Sequence, residues 1–389
     1  MKKISFLILS ITIIMISNIA FAFENSTIAT DGSNFYAIKD DNSLWAWGEN
    51  KNGEVGNGTT EACDDPTKIM EDVIYVSPQY AVKSDNTLWT WGKYSDFFSE
   101  DNASLVPVKV MDNVKAADVG WSSTLIIKED NSLWGIGYNN YGQLGQGEIL
   151  RSSDDLETEY CDPSVYEQPV KIMNNVLDAE AGVNHSIALK TDGSVYTFGA
   201  GYYGQLGYGD YLFLSNVPTK VMENVKDIAA GSSSSFALKD DNTYWWCGTL
   251  FGEHNDSQEL DYYEFEQLDD DIKDISVHYK TSLVLKNDGS LWQYSFTGDG
   301  SESVKKKISD NINCISGDDS NGYKTLVLNN DGELFLYDLD GEYTSEKIMD
   351  NVKLQEENVS AEQTNFLDIE SKSDEAQKAV NALTRAGII

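Results

Sequence analysis

The feature that most constrains this chain is a hairpin motif that occurs seven times along its length. Each copy reads Asp, then Asn or Gly, then Ser, Thr or Glu, then Leu, Val or Tyr, and ends on an aromatic residue. The copies start at Asp41, Asp85, Asp130, Asp192, Asp241, Asp288 and Asp331, in steps of 44, 45, 62, 49, 47 and 43 residues. A repeat of this length, with extra residues confined to loops, predicts propeller blades or solenoid units.

The fourth copy indicates the local structure. Residues 186–190 and 194–198 read as two short strands, and Asp192-Gly193 lies between them. Asp-Gly suits the positive backbone angles of a two-residue turn, so a tight hairpin is expected.

A second motif, Lys-Ile/Val-Met with Val three residues later, accompanies the hairpins at 68–73, 109–114, 171–176, 220–225 and 347–352. An apolar strand follows it, so each unit holds about four strands and no helical periodicity. Four strands in each of seven units predict an all-β fold, a seven-bladed β-propeller. Residues 26–32 match an inner strand, and 347–352 are expected to supply the strand that the first blade lacks, which would seal the ring.

Charge and the N-terminus restrict the function. The formal net charge is -36, which disfavours nucleic acid and anionic lipid as partners and favours cationic ones. Residues 1–22 combine two lysines, an apolar run and Ala-Phe-Ala, which predicts a secretory signal peptide cleaved after Ala22. An uncleaved membrane anchor is the alternative. With cleavage, no transmembrane segment is expected in the remaining chain.

The repeats resemble the regulator-of-chromosome-condensation repeat family, in its exported bacterial form. The fourth repeat matches the family pattern at Gly182, His185, Ser186, Ala188, Leu189, Asp192, Gly193, Tyr196, Gly199, Gly204, Gln205, Leu206 and Gly207. Gly142-Gln143-Leu144-Gly145 and Gly53-Glu54-Val55-Gly56 repeat its last part, whereas repeats two, five, six and seven lack it. The resemblance implies a seven-bladed propeller, which we place at residues 23–354.

The family does not imply a single function. Its eukaryotic founder, a chromatin-bound nucleotide-exchange factor, fits poorly with a leader and a charge of -36. Exported bacterial members include proteins that bind an enzyme through aromatic residues on one propeller face. The resemblance therefore implies protein binding and leaves the partner open.

Residues 355–389 differ in composition from the repeats. A polar stretch precedes a predicted short helix in which Ala376, Ala379, Val380 and Leu383 share a face. This tail resembles the first half of an S-layer homology module, which would imply contact with cell-wall polysaccharide. A capping helix packed on the propeller is the alternative.

Aromatic residues are the best candidates for binding a partner. Those in the hairpins recur at one position and are expected in the packing between blades: Trp45, Trp89, Trp134, Tyr196, Trp245 and Trp292. Others stand in predicted loops and are typical binding anchors: Trp121, Tyr138, Tyr141, Tyr202, Tyr203, Tyr279 and Tyr323. His185 joins these candidates, although its repeat position favours a hydrogen bond within the blade.

No pattern indicates catalysis, a cofactor or a metal. The three histidines are far apart, and the Gly-rich loops lack the Lys-Ser/Thr of a phosphate site. Acidic runs such as 269–271 lack calcium-loop spacing and are expected to be solvated. Cys247 and Cys314 are expected in the core, whereas Cys63 and Cys161 lie in loops where a disulfide is one possibility.

Together these observations predict a secreted or cell-envelope protein, non-enzymatic and monomeric, that binds an extracellular enzyme or surface protein through loops on one propeller face. The alternatives are a structural protein anchored in the cell envelope and a carbohydrate-binding propeller.

Overall fold

A computed structural model describes residues 26–93, 103–147, 165–209, 213–248, 262–278, 281–296, 303–317, 324–338 and 344–355. Within these residues the chain forms seven antiparallel sheets, each of four consecutive strands, in one compact unit spanning Asn25–Glu356. This is the predicted all-β, seven-bladed β-propeller. The first strand of each blade is the inner one and the fourth is the outer edge.

The strands have the following bounds. Blades 1 and 2 contain β1 (Ile28–Thr30), β2 (Asn34–Ile38), β3 (Leu44–Gly48), β4 (Cys63–Met70), β5 (Val73–Ser77), β6 (Tyr80–Lys83), β7 (Thr87–Gly92) and β8 (Ser104–Asp112). Blades 3 and 4 contain β9 (Val114–Val119), β10 (Ser123–Lys128), β11 (Leu133–Tyr138), β12 (Val165–Met173), β13 (Val176–Ala181), β14 (His185–Lys190), β15 (Val195–Ala200) and β16 (Leu214–Met222). Blades 5 and 6 contain β17 (Val225–Ala230), β18 (Ser234–Lys239), β19 (Thr243–Gly248), β20 (Tyr262–Asp270), β21 (Ile272–His278), β22 (Thr281–Lys286), β23 (Leu291–Phe296) and β24 (Ser303–Ser309). Blade 7 contains β25 (Ile312–Gly317), β26 (Lys324–Asn329), β27 (Leu334–Asp338) and β28 (Thr344–Met349).

The hairpin turn differs from the predicted one in its length and in one backbone angle. Gly193 has φ 76°, whereas Asp192 is absent from the residues with positive φ. Lys190 pairs with Ser194 through a backbone bond of 2.8 Å, so three residues rather than two form the loop. A three-residue loop needs a left-handed backbone only at its last position. Asp192 instead accepts the backbone N–H of Ser194 at 3.0 Å.

The hairpin aromatics lie where the sequence predicted. Trp45, Trp89 and Trp292 are half-buried and pack on clusters of buried residues contributed by two adjacent blades. Because both faces of a blade are covered by its neighbours, the second strands are buried at almost every position rather than at alternate ones. The buried thiols Cys247 and Cys314 belong to this core as expected, and Cys63 is half-buried and free.

Ring closure follows a different route from the predicted one. β28 stays in blade 7, where it pairs with β27. Only the next residues cross to blade 1: Val352 bridges to Lys39, and the Lys353 N–H donates to the Ile38 carbonyl at 2.9 Å. β1 continues the same edge, with Ile28 opposite Ala37. The inner strand of blade 1 is therefore assembled from both ends of the propeller, because β1 alone is too short to fill it.

Candidate functional site

The strand order places two sets of connections on opposite faces of the ring. Connections from the first to the second strand and from the third to the outer strand share one face, which we call the loop face. Hairpin turns and the links between blades share the other, the turn face. By chain position, every described loop aromatic predicted as a binding anchor belongs to connections or strand ends of the loop face. Tyr279 and Tyr323 fall outside the described residues.

The described anchors differ in exposure. Trp121, in the β9–β10 connection, is 73% exposed, and Tyr138, at the end of β11, is 44% exposed. Tyr141, Tyr202 and Tyr203 are half-buried. Phe213, which precedes β16, is 55% exposed and was missed in the sequence. The run Tyr211-Leu212-Phe213 directly before an outer strand was the available signal.

Four of these rings form a cluster across blades 3 and 4. Tyr202 lies at the centre, with its ring centroid 6.1 Å from Tyr141, 6.4 Å from Tyr203 and 5.6 Å from Phe213. The contacts with Tyr141 and Phe213 are edge-to-face, the geometry that the charge distribution of aromatic rings favours. Tyr141 comes from blade 3 and the other three from blade 4, so the cluster spans the boundary between them.

The Gly-Gln-Leu-Gly loops hold these aromatics in place. Gln143 accepts the Tyr141 N–H at 3.0 Å through Oε1 and donates to Ser122 Oγ at 3.1 Å through Nε2. In blade 4, Gln205 accepts the Tyr203 N–H in the same way at 2.9 Å. The Ser122 hydroxyl in turn donates to the Val183 carbonyl in blade 4 at 3.3 Å. Trp121, next to Ser122, therefore stands on a backbone fixed from two blades.

The same loops also fasten one blade to the next. The Gly58 N–H donates to the Leu105 carbonyl at 2.9 Å, and the Gly147 N–H donates to the Asn216 carbonyl at 2.8 Å. Tyr208 forms the corresponding bridge to Glu264. The loop motif thus has a structural role where blade 1 meets blade 2, blade 3 meets blade 4 and blade 4 meets blade 5, in the repeats where the sequence contains it.

The positions of Trp121 and Tyr138 are not constant among the repeats. The Tyr138 N–H donates to the Ser122 carbonyl at 2.8 Å, and the equivalent bond in blade 4 joins Ala200 to Asn184. By this register Val183 takes the position of Trp121, and Ala200 that of Tyr138. The fold therefore needs only a small or aliphatic residue at either position.

His185 occupies a different environment from the other candidates. Its side chain is 1% exposed, and Nε2 lies 3.2 Å from the Ser234 carbonyl and 3.1 Å from Ser235 Oγ in blade 5. Its ring fills the space beside Gly182, where an added Cβ would lie 2.2 Å from the ring. Burial lowers the pKa of His185 to about 4. The structure places this residue between blades rather than at a surface that a partner could reach.

The loop-face segments of blades 3 and 4 differ in charge from the turn face. In the described loop-face segments of blades 3 and 4, residues 120–122, 138–147, 182–184 and 200–209, no Asp, Glu, Lys or Arg occurs. On the turn face, lysines of the second motif pair with acids three residues later, at 2.8 Å for Lys68–Glu71 and 2.6 Å for Lys109–Asp112. These described segments, which carry the aromatic side chains, are thus uncharged on a strongly acidic protein.

Other site types find little support in the part of the chain that the structure describes. No group of three or more His, Cys, Asp or Glu residues there could hold a metal ion. Within the same residues, no helix has the length and apolar character needed to cross a membrane.

Comparison with known families supports the repeat assignment. Residues 41–77, 130–189 and 192–238 match the regulator of chromosome condensation (RCC1) repeat, and a second description of the same repeat matches 114–143 and 176–205. The chain therefore carries RCC1 repeats in a seven-bladed β-propeller, as the sequence predicted.

Several curated proteins share part of this sequence. The human E3 ubiquitin-protein ligase HERC2 is 27% identical over 204 residues, 47% of this chain and 4% of its own length. The ultraviolet-B receptor UVR8 of Arabidopsis thaliana is 26% identical over 187 residues, 47% of this chain and 31% of its own. A zebrafish (Danio rerio) protein RCC2 homolog is 38% identical over 87 residues, which cover 22% of this chain and 16% of its own length. The chain thus spans less than a third of the length of these relatives.

Solved structures share the fold. Prp20p from Saccharomyces cerevisiae has a TM-score of 0.58 at 20% identity, covering 75% of this chain and 80% of its own, and was studied for binding to Gsp1p and histones. Yeast RCC1 (Prp20) bound to Kap60 has a TM-score of 0.60 at 15% identity, covering 88% and 87%. Human WBSCR16 has a TM-score of 0.59 at 17% identity, covering 79% and 94%. RCC1-type propellers thus include proteins that bind other proteins.

Proposed function

We propose that this propeller is a non-enzymatic protein-binding module whose partner contacts the loop face at blades 3 and 4. The observation that carries the proposal is the 73% exposure of Trp121, beside Tyr138, on a backbone held by hydrogen bonds from two blades. Rigid exposed aromatics bury a large area on binding and lose little entropy. The cluster around Tyr202 extends this surface to Phe213.

The repeats themselves support this assignment. A residue retained only for folding would be expected in most blades, whereas Trp121 and Tyr138 occupy positions that hold Val183 and Ala200 one blade later. A large exposed apolar ring without a partner also lowers solubility. Binding to a partner accounts for these two exposed aromatic side chains, whereas folding does not require them.

Variants of the exposed aromatics test the proposal. The immobilised protein captures its partner from an extract of the source organism, and the dissociation constant is then measured for wild type, Trp121→Ala and Tyr138→Ala. Each variant should bind at least about tenfold more weakly, as expected for an interface hot spot. Val106→Ala, on outer strand β8 and 49% exposed, is the control. Equal affinity of all four proteins would refute the assignment of the surface.

Location outside the cytoplasm is part of the proposal. Its basis is the sequence of residues 1–22, with two lysines, an apolar run and a small-residue cleavage pattern. N-terminal sequencing of the protein from culture medium and envelope fractions tests it, with Phe23 as the expected first residue. Sedimentation with wall fragments that is lost on deletion of residues 355–389 would instead favour the wall-anchored alternative.

A further inference from the structure

Lysine side chains stack on the hairpin aromatics in the described part of five blades. The lysine Nζ lies over the ring at 4.4 Å for Lys39–Trp45, 5.5 Å for Lys83–Trp89, 4.8 Å for Lys128–Trp134, 5.3 Å for Lys190–Tyr196 and 4.3 Å for Lys239–Trp245. These distances are within the range of cation–π attraction. Each of these aromatic rings on the turn face is thus covered by a cation from its own blade.

Trp121 and Tyr138 lack such a cation among the described residues. Both rings stand in segments without any charged residue, and the Tyr138 N–H bond to the Ser122 carbonyl places the two positions side by side. Their π faces are therefore available to a cation from outside the chain.

The net charge of the whole protein favours a partner of opposite charge. At a net charge of -36, the surrounding field attracts cationic groups and repels a second copy of this chain, nucleic acid and anionic lipid. Four lysines of the second motif do not offset this field at the loop face, because they pair with acids on the turn face: Lys68, Lys109, Lys307 and Lys347.

We infer that Trp121 and Tyr138 receive a lysine or arginine side chain from a basic protein partner. This inference rests on the proposed function and adds the chemistry of the partner. The field steers the basic surface toward the propeller, and the aromatic pair binds one cation without competition from a carboxylate in the described loop-face segments of blades 3 and 4. Ring stacking on the aliphatic stem of that side chain buries apolar area at the same time.

A pair of synthetic peptides tests the inference. One is a 15-residue peptide with six lysines, and the other has the same sequence with each lysine acetylated, which removes the charge and keeps the stem. Binding is measured by calorimetry on the full chain as wild type, Trp121→Ala, Trp121→Phe and Val106→Ala. None of these substitutions alters net charge, so any difference between them reports the ring rather than the field.

We expect the lysine peptide to bind wild type about three- to tenfold more tightly than Trp121→Ala, with Trp121→Phe between them and Val106→Ala equal to wild type. Acetylation should abolish binding, and added salt should weaken it. Equal affinity of wild type and Trp121→Ala would overturn the inference, since the field alone would then explain binding. A fluorescence change caused by a neutral oligosaccharide but not by the lysine peptide, and lost in Trp121→Ala, would also overturn it, in favour of a sugar ligand.

The partner captured from the source organism separates this inference from the proposed function. If its binding depends on Trp121 but survives acetylation of its lysines and modification of its arginines, the loop face binds protein and the inference fails. If its binding does not depend on Trp121, the proposed function itself fails.

Discussion

At the scale of single residues, burial against blade 5 determines the protonation state of His185. Its Nε2 faces the Ser234 carbonyl, which requires a proton on that nitrogen, while Nδ1 is buried without a hydrogen-bond partner. Adding a second proton would place a charge in this apolar space, which is why burial lowers its pKa to about 4. The repeat position indicated a structural role, but the predicted hydrogen bond within the blade was wrong, because Ser234 and Ser235 belong to blade 5.

This pKa predicts how stability depends on pH. Because the folded protein resists protonation of His185, the unfolded chain binds the proton first as pH falls. Folding is therefore favoured by the neutral form of His185. This stabilisation of about 3 kcal/mol is fully present above about pH 6.5 and is lost as the pH falls from there to about pH 4. Urea unfolding of wild type and His185→Gln at pH 7, 6 and 5 measures it. The variant should lose less stability over this interval, and parallel pH profiles would contradict the assignment.

At the scale of strands, the inner edges of blades 4, 5 and 6 place like charges in register. Asp178, Asp227 and Asp274 lie opposite Leu189, Leu238 and Leu285 on the second strands. Burial, followed by the charges of Asp178 and Asp274, raises the pKa of Asp227 well above its usual value. The three aspartates hold equivalent positions in their repeats. Only the structure shows that their strands, which are far apart in sequence, lie close enough for the charges to interact.

Replacing Asp227 with Asn should therefore stabilise the protein near neutral pH. A carboxyl group with a raised pKa stabilises the fold only at low pH and costs stability as pH rises. Asn removes the charge and retains an oxygen for the Ile228 N–H, which Asp227 accepts at 2.9 Å. We expect a gain on the order of 1 kcal/mol at pH 7 that fades toward pH 4. Asp40→Asn, on the exposed turn face, is the control; a gain at Asp227 that is independent of pH would contradict this explanation.

The glycines of the Gly-Gln-Leu-Gly loops lead to a second prediction at the scale of strands and loops. Gly207 and Gly147 both have positive φ, 69° and 80°, so Ala strains the backbone at either site by about 1–2 kcal/mol. A Cβ on Gly207 would lie 2.5 Å from the Phe265 ring of the next blade, whereas on Gly147 the nearest contact is Val217 at 3.7 Å. Gly207→Ala should therefore lower the free energy of unfolding by about 1–3 kcal/mol more than Gly147→Ala. Equal losses would mean that contact with the next blade is not what requires glycine.

At the scale of the whole molecule, ring closure depends on few residues. Val352 is 1% exposed and belongs to the cluster that joins blade 7 to Phe35 and Trp47 of blade 1. Four of the seven outer strands are disfavoured as sites for pairing with a second chain, because β4, β8, β12 and β16 each contain a proline: Pro66, Pro107, Pro169 and Pro218.

Val352→Ala should therefore destabilise the entire propeller. Loss of two buried methyl groups costs about 2 kcal/mol, and here it weakens the cluster that joins the first blade to the last. Thermal unfolding followed by circular dichroism measures the change. Val106→Ala is the same chemical change at an exposed position and should leave the melting temperature nearly unchanged. Comparable effects of both variants would argue against closure through Val352.

The sequence by itself determined the number of blades and the position of each hairpin. Asp-Asn/Gly turns and short strands are local devices, so seven copies of them predict seven sheets without knowledge of distant contacts. Only the tertiary structure decided that Trp121 is exposed, that His185 is buried, that Phe213 joins the aromatic cluster and that Val352 closes the ring. The environments of His185 and Val352 depend on residues of another blade, 49 or more positions away in the sequence, and no local pattern encodes such contacts.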